Sequence, residues 1–302
     1  MTVAGGNAPG GDPGPLAAVP PFAVPPDLVA SLVLLRHGQS VGLAEGRFQG
    51  RADTPLSALG ERQAALAGGR LADPTAAPRL PLPPGDPIAI IHSPLARTTQ
   101  TAAAVAAAIA ARGRPAPPLV VEPGIREVGL GAWEGLRHRE VEAGWPGELD
   151  GWRRDPVRSF APGGESLMQM DRRVRAALAG VIDGLARESA TRDAARARAV
   201  PTSPAPSSVS FYDPHAGPWT LLVGHDGAFK VAVLALLGLP LDRFWTFTQT
   251  TTGIAVFDIR NGYTILRAWN RTEHLAPLEM EADNAESLAE EEAAASSRSG
   301  AL

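Results

Sequence analysis

Four side chains in this 302-residue sequence are of the kind that grips an anion, and each stands at or just beyond the end of an apolar run. Arg36 and His37 close "SLVLLRH", Arg97 follows the run in "IAIIHSPLAR" by one helical turn, and His225 closes "WTLLVGH". Taken singly, each has an ordinary explanation: a histidine at a strand end is a hydrogen-bonded rim residue, and an arginine after a strand is a snorkelling surface charge. Taken together, four cationic groups share one crevice only if an anion fills the space between them, and a bound phosphate meets that need. Two carboxylates seven residues apart, Glu127 and Glu134, compete for the part of proton donor. His92, His138, His215 and His274 are assigned structural roles.

The elements that must position these groups are legible in the periodicity. Apolar runs of strand length start at Ser31, Ile88, Pro118 and Trp219, and they alternate with Ala/Leu-rich helical stretches. "SALGERQAALAGGRL" is expected as a helix capped by Ser57, with Leu59, Gln63, Leu66 and Arg70 on its inner face. "PLARTTQTAAAVAAAIAARG" has Pro94 where a first turn tolerates it and Gly113 where a helix stops, and "FKVAVLALLGL" follows the fourth strand. "GIAVFDI" and "YTILRAW", joined by "RNG", form a hairpin at the sheet edge, where a second chain could pair to make a homodimer. The alternation predicts an α/β fold, a three-layer α/β/α sandwich with a largely parallel central sheet. Ligands in such sheets bind beyond the carboxyl ends of the strands, where helix N-termini also point N–H groups outward, so the four cations are expected to converge there.

Composition narrows the partners. The net charge of −4 gives no basic footprint for nucleic acid. There is no cysteine, which excludes disulfides, thiolate catalysis and sulfur-ligated metals, and agrees with a cytoplasmic location. The opening residues lack Lys and Arg and are broken by Pro and Gly, a poor secretory signal, and no apolar run approaches the roughly 20 residues of a membrane helix. No HxH or HExxH spacing offers a metal site, so the expected chemistry is metal-independent and needs no cofactor.

"LLRHGQS", "GRFQGRADTPLSALGERQA", "HSPLARTTQTA", "IREVGLGAWEGL", "PGGES" and "VGHDG" resemble, in order, the motifs of the histidine phosphatase superfamily, the phosphoglycerate mutase-like group. The resemblance implies that His37 attacks phosphorus to form phosphohistidine and that Arg36, Arg97 and His225 clamp the phosphoryl oxygens, His225 as the imidazolium. It makes Glu127 rather than Glu134 the proton donor, and places Gln49 and the N–H of Gly50 against phosphate or substrate. The free nitrogen of His37 would be held protonated by a backbone carbonyl. Ser166 fits a helix N-cap, Glu165 a supporting contact to a cation, and Trp133 packing. The domain is expected over residues 28–278, with a Pro/Gly/Ala-rich disordered tail over 1–27, a flexible insertion or lid over about 190–218, and an acidic disordered tail over 279–302.

Two positions depart from the family pattern. Leu43 stands where many members have a phosphate-binding asparagine, and Asp226 follows the second histidine where glycine is common. The expected activity is hydrolysis of a small-molecule phosphomonoester. The alternatives are a cofactor-dependent phosphoglycerate mutase, against which the short "GLRHREVEAGWPGELDGWRRDP" speaks, and a catalytically weak phospholigand-binding module, which only Leu43 and Asp226 favour. The pocket walls are expected from that segment and from the insertion before Trp219.

Overall fold

A computed structural model describes residues 22–198 and 217–282. Its helices and strands run β1 (Ala30–Arg36), α1 (Val41–Ala44), α2 (Ala58–Ala72), β2 (Ile90–His92), α3 (Ala96–Ala110), β3 (Leu119–Val121), α4 (His138–Gly144), α5 (Pro146–Arg154), α6 (Leu167–Arg198), β4 (Trp219–Gly224), α7 (Asp226–Leu237), β5 (Ile254–Arg260) and β6 (Tyr263–Arg271). The strands form one sheet in the order β3-β2-β4-β1-β5-β6. The first four in that order are parallel, and the β5–β6 hairpin joins antiparallel beside β1. The sheet is therefore mixed, with the expected parallel part at its centre. β5 is paired on both sides, so the sheet edges belong to β3 and β6 and not to "GIAVFDI".

Strand alternation divides the core into two layers. Leu32 and Leu34 of β1 join Phe257 and Ile259 in the cluster covered by α6 and α7, while Val33 and Leu35 join Leu221 and Val223 in the cluster covered by α2 and α3. Burying both faces is what a near-continuous apolar run such as "SLVLL" requires. α2 bears out its spacing in part: Gln63 and Arg70 are buried together with Gly60, Ala64, Ala67 and Gly68, whereas Leu59 is 39% exposed and Leu66 half-buried. The reason is a close approach to α3, where a Cβ on Gly68 would press on the carbonyl of Ala104, so small residues make the contact.

Boundaries also move. Phe22 and Val24, assigned to the N-terminal tail, pack against the core. α6 continues to Arg198, so the first part of the supposed insertion is helix, and residues 199–216 of it lie outside the described residues. Residues 279–282 are helical, and the remainder of the acidic tail, like most of the N-terminal one, lies outside the described residues. Among the described residues no helix is long and apolar enough to cross a membrane.

Register sets the level at which the chemistry appears. Arg36 is opposite Gly224, and Val223 is opposite both Leu35 and His92, so β1, β4 and β2 end together. His37 N–H continues the ladder to the carbonyl of Gly224 (3.0 Å), and Ser93 N–H reaches that of Val223 (3.1 Å).

Candidate active site

His37 stands one residue past β1 and is 3% exposed. Its Nδ1 lies 2.6 Å from the carbonyl of Gly38, an obligate acceptor, so Nδ1 carries the proton and Nε2 carries the lone pair. The expected carbonyl is thus its own neighbour. Burial, then Arg97 and Arg36, hold the His37 pKa well below its ordinary 6.5, with the Gly38 contact opposing them, and the ring is neutral at physiological pH.

Arg97, at the start of α3, is almost wholly buried and ties three parts of the site together. Its Nε donates to His37 Nε2 (3.3 Å), and its terminal nitrogens donate to the carbonyls of Ala52 (2.8 Å) and Gly50 (2.9 Å). Two further N–H groups of the fork are left over. Arg36 donates from one terminal nitrogen to the carbonyl of Gln249, and its Nε is buried without a hydrogen-bond partner among the described residues. The His225 ring lies 5.1 Å from that of His37, edge to face. Its Nε2 meets Ser93 Oγ at 2.8 Å, while Nδ1 is buried without a partner among the described residues. Burial foremost, then His37, Arg97 and Arg36, keep its pKa well below 6.5. An imidazolium at His225, expected from the sequence, is therefore disfavoured until an anion supplies the counter-charge.

The two carboxylates separate cleanly. Glu127 lines the cleft with His37, Arg36 and Arg97, and its oxygens accept from the N–H groups of Val128 (2.8 Å), Gly227 (3.1 Å) and Ala228 (3.2 Å), capping the N-terminus of α7. Burial pushes its pKa above 4.5 and Asp226 adds to the rise, against the pull of the backbone donors and Arg97. Glu134 is absent from that cleft; its Oε1 holds the N–H groups of Arg51 and Leu130 together, each at 2.9 Å. Glu165 pairs with Arg173 (2.7 Å) and Arg51 (2.9 Å), and both arginines donate to the Glu127 carbonyl, so its contact to a cation steadies the Glu127 segment. Ser166 exchanges hydrogen bonds with Gln169 at the start of α6, a capping arrangement. Trp133 is fully buried in the core, and His92 Nδ1 donates to the Ser93 carbonyl (2.8 Å), in line with the structural roles expected of both.

Gln49 and Gly50 also line the cleft. Gln49 Oε1 accepts from Ser40 (2.6 Å) and Thr54 (2.7 Å), which leaves its NH2 as the end able to donate. Leu43 is 36% exposed and outside the cleft lining, so no contact comes from that position. Asp226 is drawn off by Lys230 (2.6 Å) and, at 3.7 Å, Arg36. The cleft holds about 190 Å3. Its outer wall, made by Arg47, Phe48, Trp152, Lys230, Phe244 and Trp245, was not read from the sequence, because no local spacing joins residues from four separate segments. Only Trp152 comes from a stretch flagged as a wall. A larger cavity of about 560 Å3, bounded by Arg51, Glu134, Glu165 and Gln169, contains none of the converging histidines, and its Arg51 and Glu165 are paired with one another.

Comparison with known proteins adds independent support. The model of the histidine phosphatase superfamily (branch 1) matches residues 32–192 and 210–272. Glucosyl-3-phosphoglycerate phosphatase of Mycolicibacterium vanbaalenii is 33% identical over 217 residues, covering 72% of this chain and 78% of the relative. Phosphoserine phosphatase 1 of Hydrogenobacter thermophilus is 27% identical over 257 residues, covering 85% of this chain and 100% of the relative. Among solved structures, a mycobacterial glucosyl-3-phosphoglycerate phosphatase in complex with VO3 aligns with a TM-score of 0.60 at 26% identity, covering 80% of this chain and 98% of that one.

Proposed function

The chain belongs to the histidine phosphatase superfamily and is a phosphatase acting on phosphomonoesters, and we propose that it does so through a covalent phosphohistidine at His37. The observation that carries this is the Nδ1 contact to the Gly38 carbonyl, which commits the proton to one nitrogen and presents the other as a nucleophile. In the first half-reaction, Nε2 forms a bond to phosphorus as the ester P–O bond breaks. Arg97 Nε, which donates to that lone pair, transfers its hydrogen bond to a phosphoryl oxygen as attack proceeds. Arg36 Nε and His225 Nδ1, both without a partner among the described residues, donate to the other oxygens. His225 accepts its charge only as the phosphoryl group enters. Glu127 gives its proton to the departing alkoxide, a role that a raised pKa favours. In the second half-reaction the Glu127 carboxylate takes a proton from water, which displaces His37 from phosphorus and releases inorganic phosphate. Gln49 and the N–H of Gly50 complete the oxygen cradle.

Two displacements at phosphorus give net retention of configuration. Hydrolysis of a phosphorothioate monoester made chiral with two oxygen isotopes, in water carrying the third, should yield inorganic thiophosphate of retained configuration; inversion would indicate direct attack by water and exclude the covalent step.

A further inference from the structure

The inner end of the cleft is made of cations, but its outer wall is aromatic. Trp152 and Trp245 meet edge to face with ring centroids 4.8 Å apart, and Phe244 meets Trp245 at the same distance. Trp245 Nε1 donates to the backbone carbonyl of Trp152 (3.3 Å), and Trp152 in turn packs on buried Trp133 (5.9 Å), so the wall is braced from behind. Trp245 nevertheless leaves 40% of its surface exposed. Large aromatic surface fixed in place and open to solvent at a cleft marks a binding face.

The cations beside this wall are already committed. Lys230 is 6% exposed, bonded to Asp226 (2.6 Å), and lies 4.8 Å from the Trp245 ring centroid. Arg47 is bonded to Glu45 (2.6 Å) and to the carbonyl of Gly135 (2.8 Å). With Arg36 and Arg97 given to the phosphoryl group, a second anion on the substrate would have to share a cation already paired with a carboxylate, and it would meet Asp226 at the cleft lining.

We propose that the alcohol portion of the substrate is an uncharged aryl or arylalkyl group held against Trp152 and Trp245, and that esters bearing a carboxylate are poor substrates. This rests on the phosphatase chemistry proposed above for the same cleft. It separates the chain from the relatives named for glucosyl-3-phosphoglycerate and phosphoserine, both carboxylate-bearing esters.

The test compares three esters of primary alcohols, so that the leaving group is chemically matched: 2-phenylethyl phosphate, 3-phosphoglycerate and O-phosphoserine. The expected result is kcat/KM at least about tenfold higher for 2-phenylethyl phosphate, the size of effect that one aromatic contact plus an unmet carboxylate gives. Trp245→Ala should raise KM for that ester about tenfold and lower the ratio of kcat/KM for 2-phenylethyl phosphate to that for 3-phosphoglycerate about fivefold or more. Trp152→Leu serves as the second variant. Equal or better turnover of either carboxylate ester, or equal losses on all three esters in both variants, overturns the substrate class. Phosphoenzyme formed from 4-nitrophenyl phosphate by the unaltered protein keeps the two claims apart. If it forms while the preference fails, only the aromatic class falls; if it does not form, the phosphohistidine mechanism falls, and the inference with it.

Discussion

At the scale of single residues, the proposed mechanism has protons set in advance. In it His37 attacks as the neutral ring and Glu127 assists as the protonated acid, and burial acts on both in the useful direction, lowering the imidazole and raising the carboxyl. Replacing Glu127 with Gln should reduce kcat about 10²- to 10⁴-fold for alkyl phosphates, whose leaving groups need a proton, and far less for 4-nitrophenyl phosphate. Comparing the two ester types in steady state checks it; equal losses on both would count against Glu127 as the acid. Asp226 is one cause of the raised Glu127 pKa, so Asp226→Asn should move the basic limb of the kcat–pH profile to lower pH, because the acid then loses its proton sooner. A limb that stays or rises contradicts the assignment. The sequence motifs pointed to His37, Arg36, Arg97 and Glu127, which line the cleft, and to His225, whose buried ring packs against His37 without being part of the lining. They did not show that Arg97 contacts the nucleophilic nitrogen or that His225 is held neutral, because both depend on burial and on partners more than 50 residues away.

At the scale of elements, rigidity comes from close backbone approaches. α2 lies so near the nucleophile loop that a Cβ on Gly60 would overlap the carbonyl of Gln39, and one on Gly38 would overlap the carbonyl of Gly60. Ser57 caps α2 and also hydrogen-bonds Gln39 (2.7 Å to Oε1), so helix and loop are fixed as one unit. Gly60→Ala should therefore destabilise the fold by about 1–3 kcal/mol, as overpacking does, and also lower kcat by displacing His37. A thermal melt with a parallel assay reads both, and an unchanged melting temperature would refute the packing account. The helix itself was legible from its cap and period. Its inner face was legible only at Gln63 and Arg70, since apolar spacing favours Leu59 whereas the contact with α3 selects for small side chains. The hairpin was legible from its turn, and with it the pairing of β5 with β6, but nothing local in "GIAVFDI" says that its other edge pairs with β1.

At the scale of the whole molecule, alternating apolar runs and helical stretches were enough to predict a three-layer α/β sandwich, because a parallel sheet must be covered on both faces. The extent of the ordered body was harder to read, since composition alone assigned Phe22 and Val24 to a tail although two apolar contacts bring them to the core. Concentrating buried histidines next to arginines has a cost for the entire fold. His37, His225 and His274 all have folded pKa values below 6.5, about 4 for His274, so as pH falls the unfolded chain takes up protons first. Stability should thus rise with pH up to about 6.5 and level off above it, with His274 alone contributing a loss on the order of 1 kcal/mol by pH 5.5. Urea unfolding across pH 5 to 8 checks the sign; stability that increases on acidification would contradict it. The central claim, a phosphoryl group carried on His37, is tested most directly by quenching the protein during turnover of 4-nitrophenyl phosphate and mapping the modification by mass spectrometry. The predicted result is an acid-labile, base-stable phosphate on the peptide containing His37, absent in His37→Ala together with turnover; steady turnover with no phosphoenzyme, or phosphate on any other residue, would contradict it.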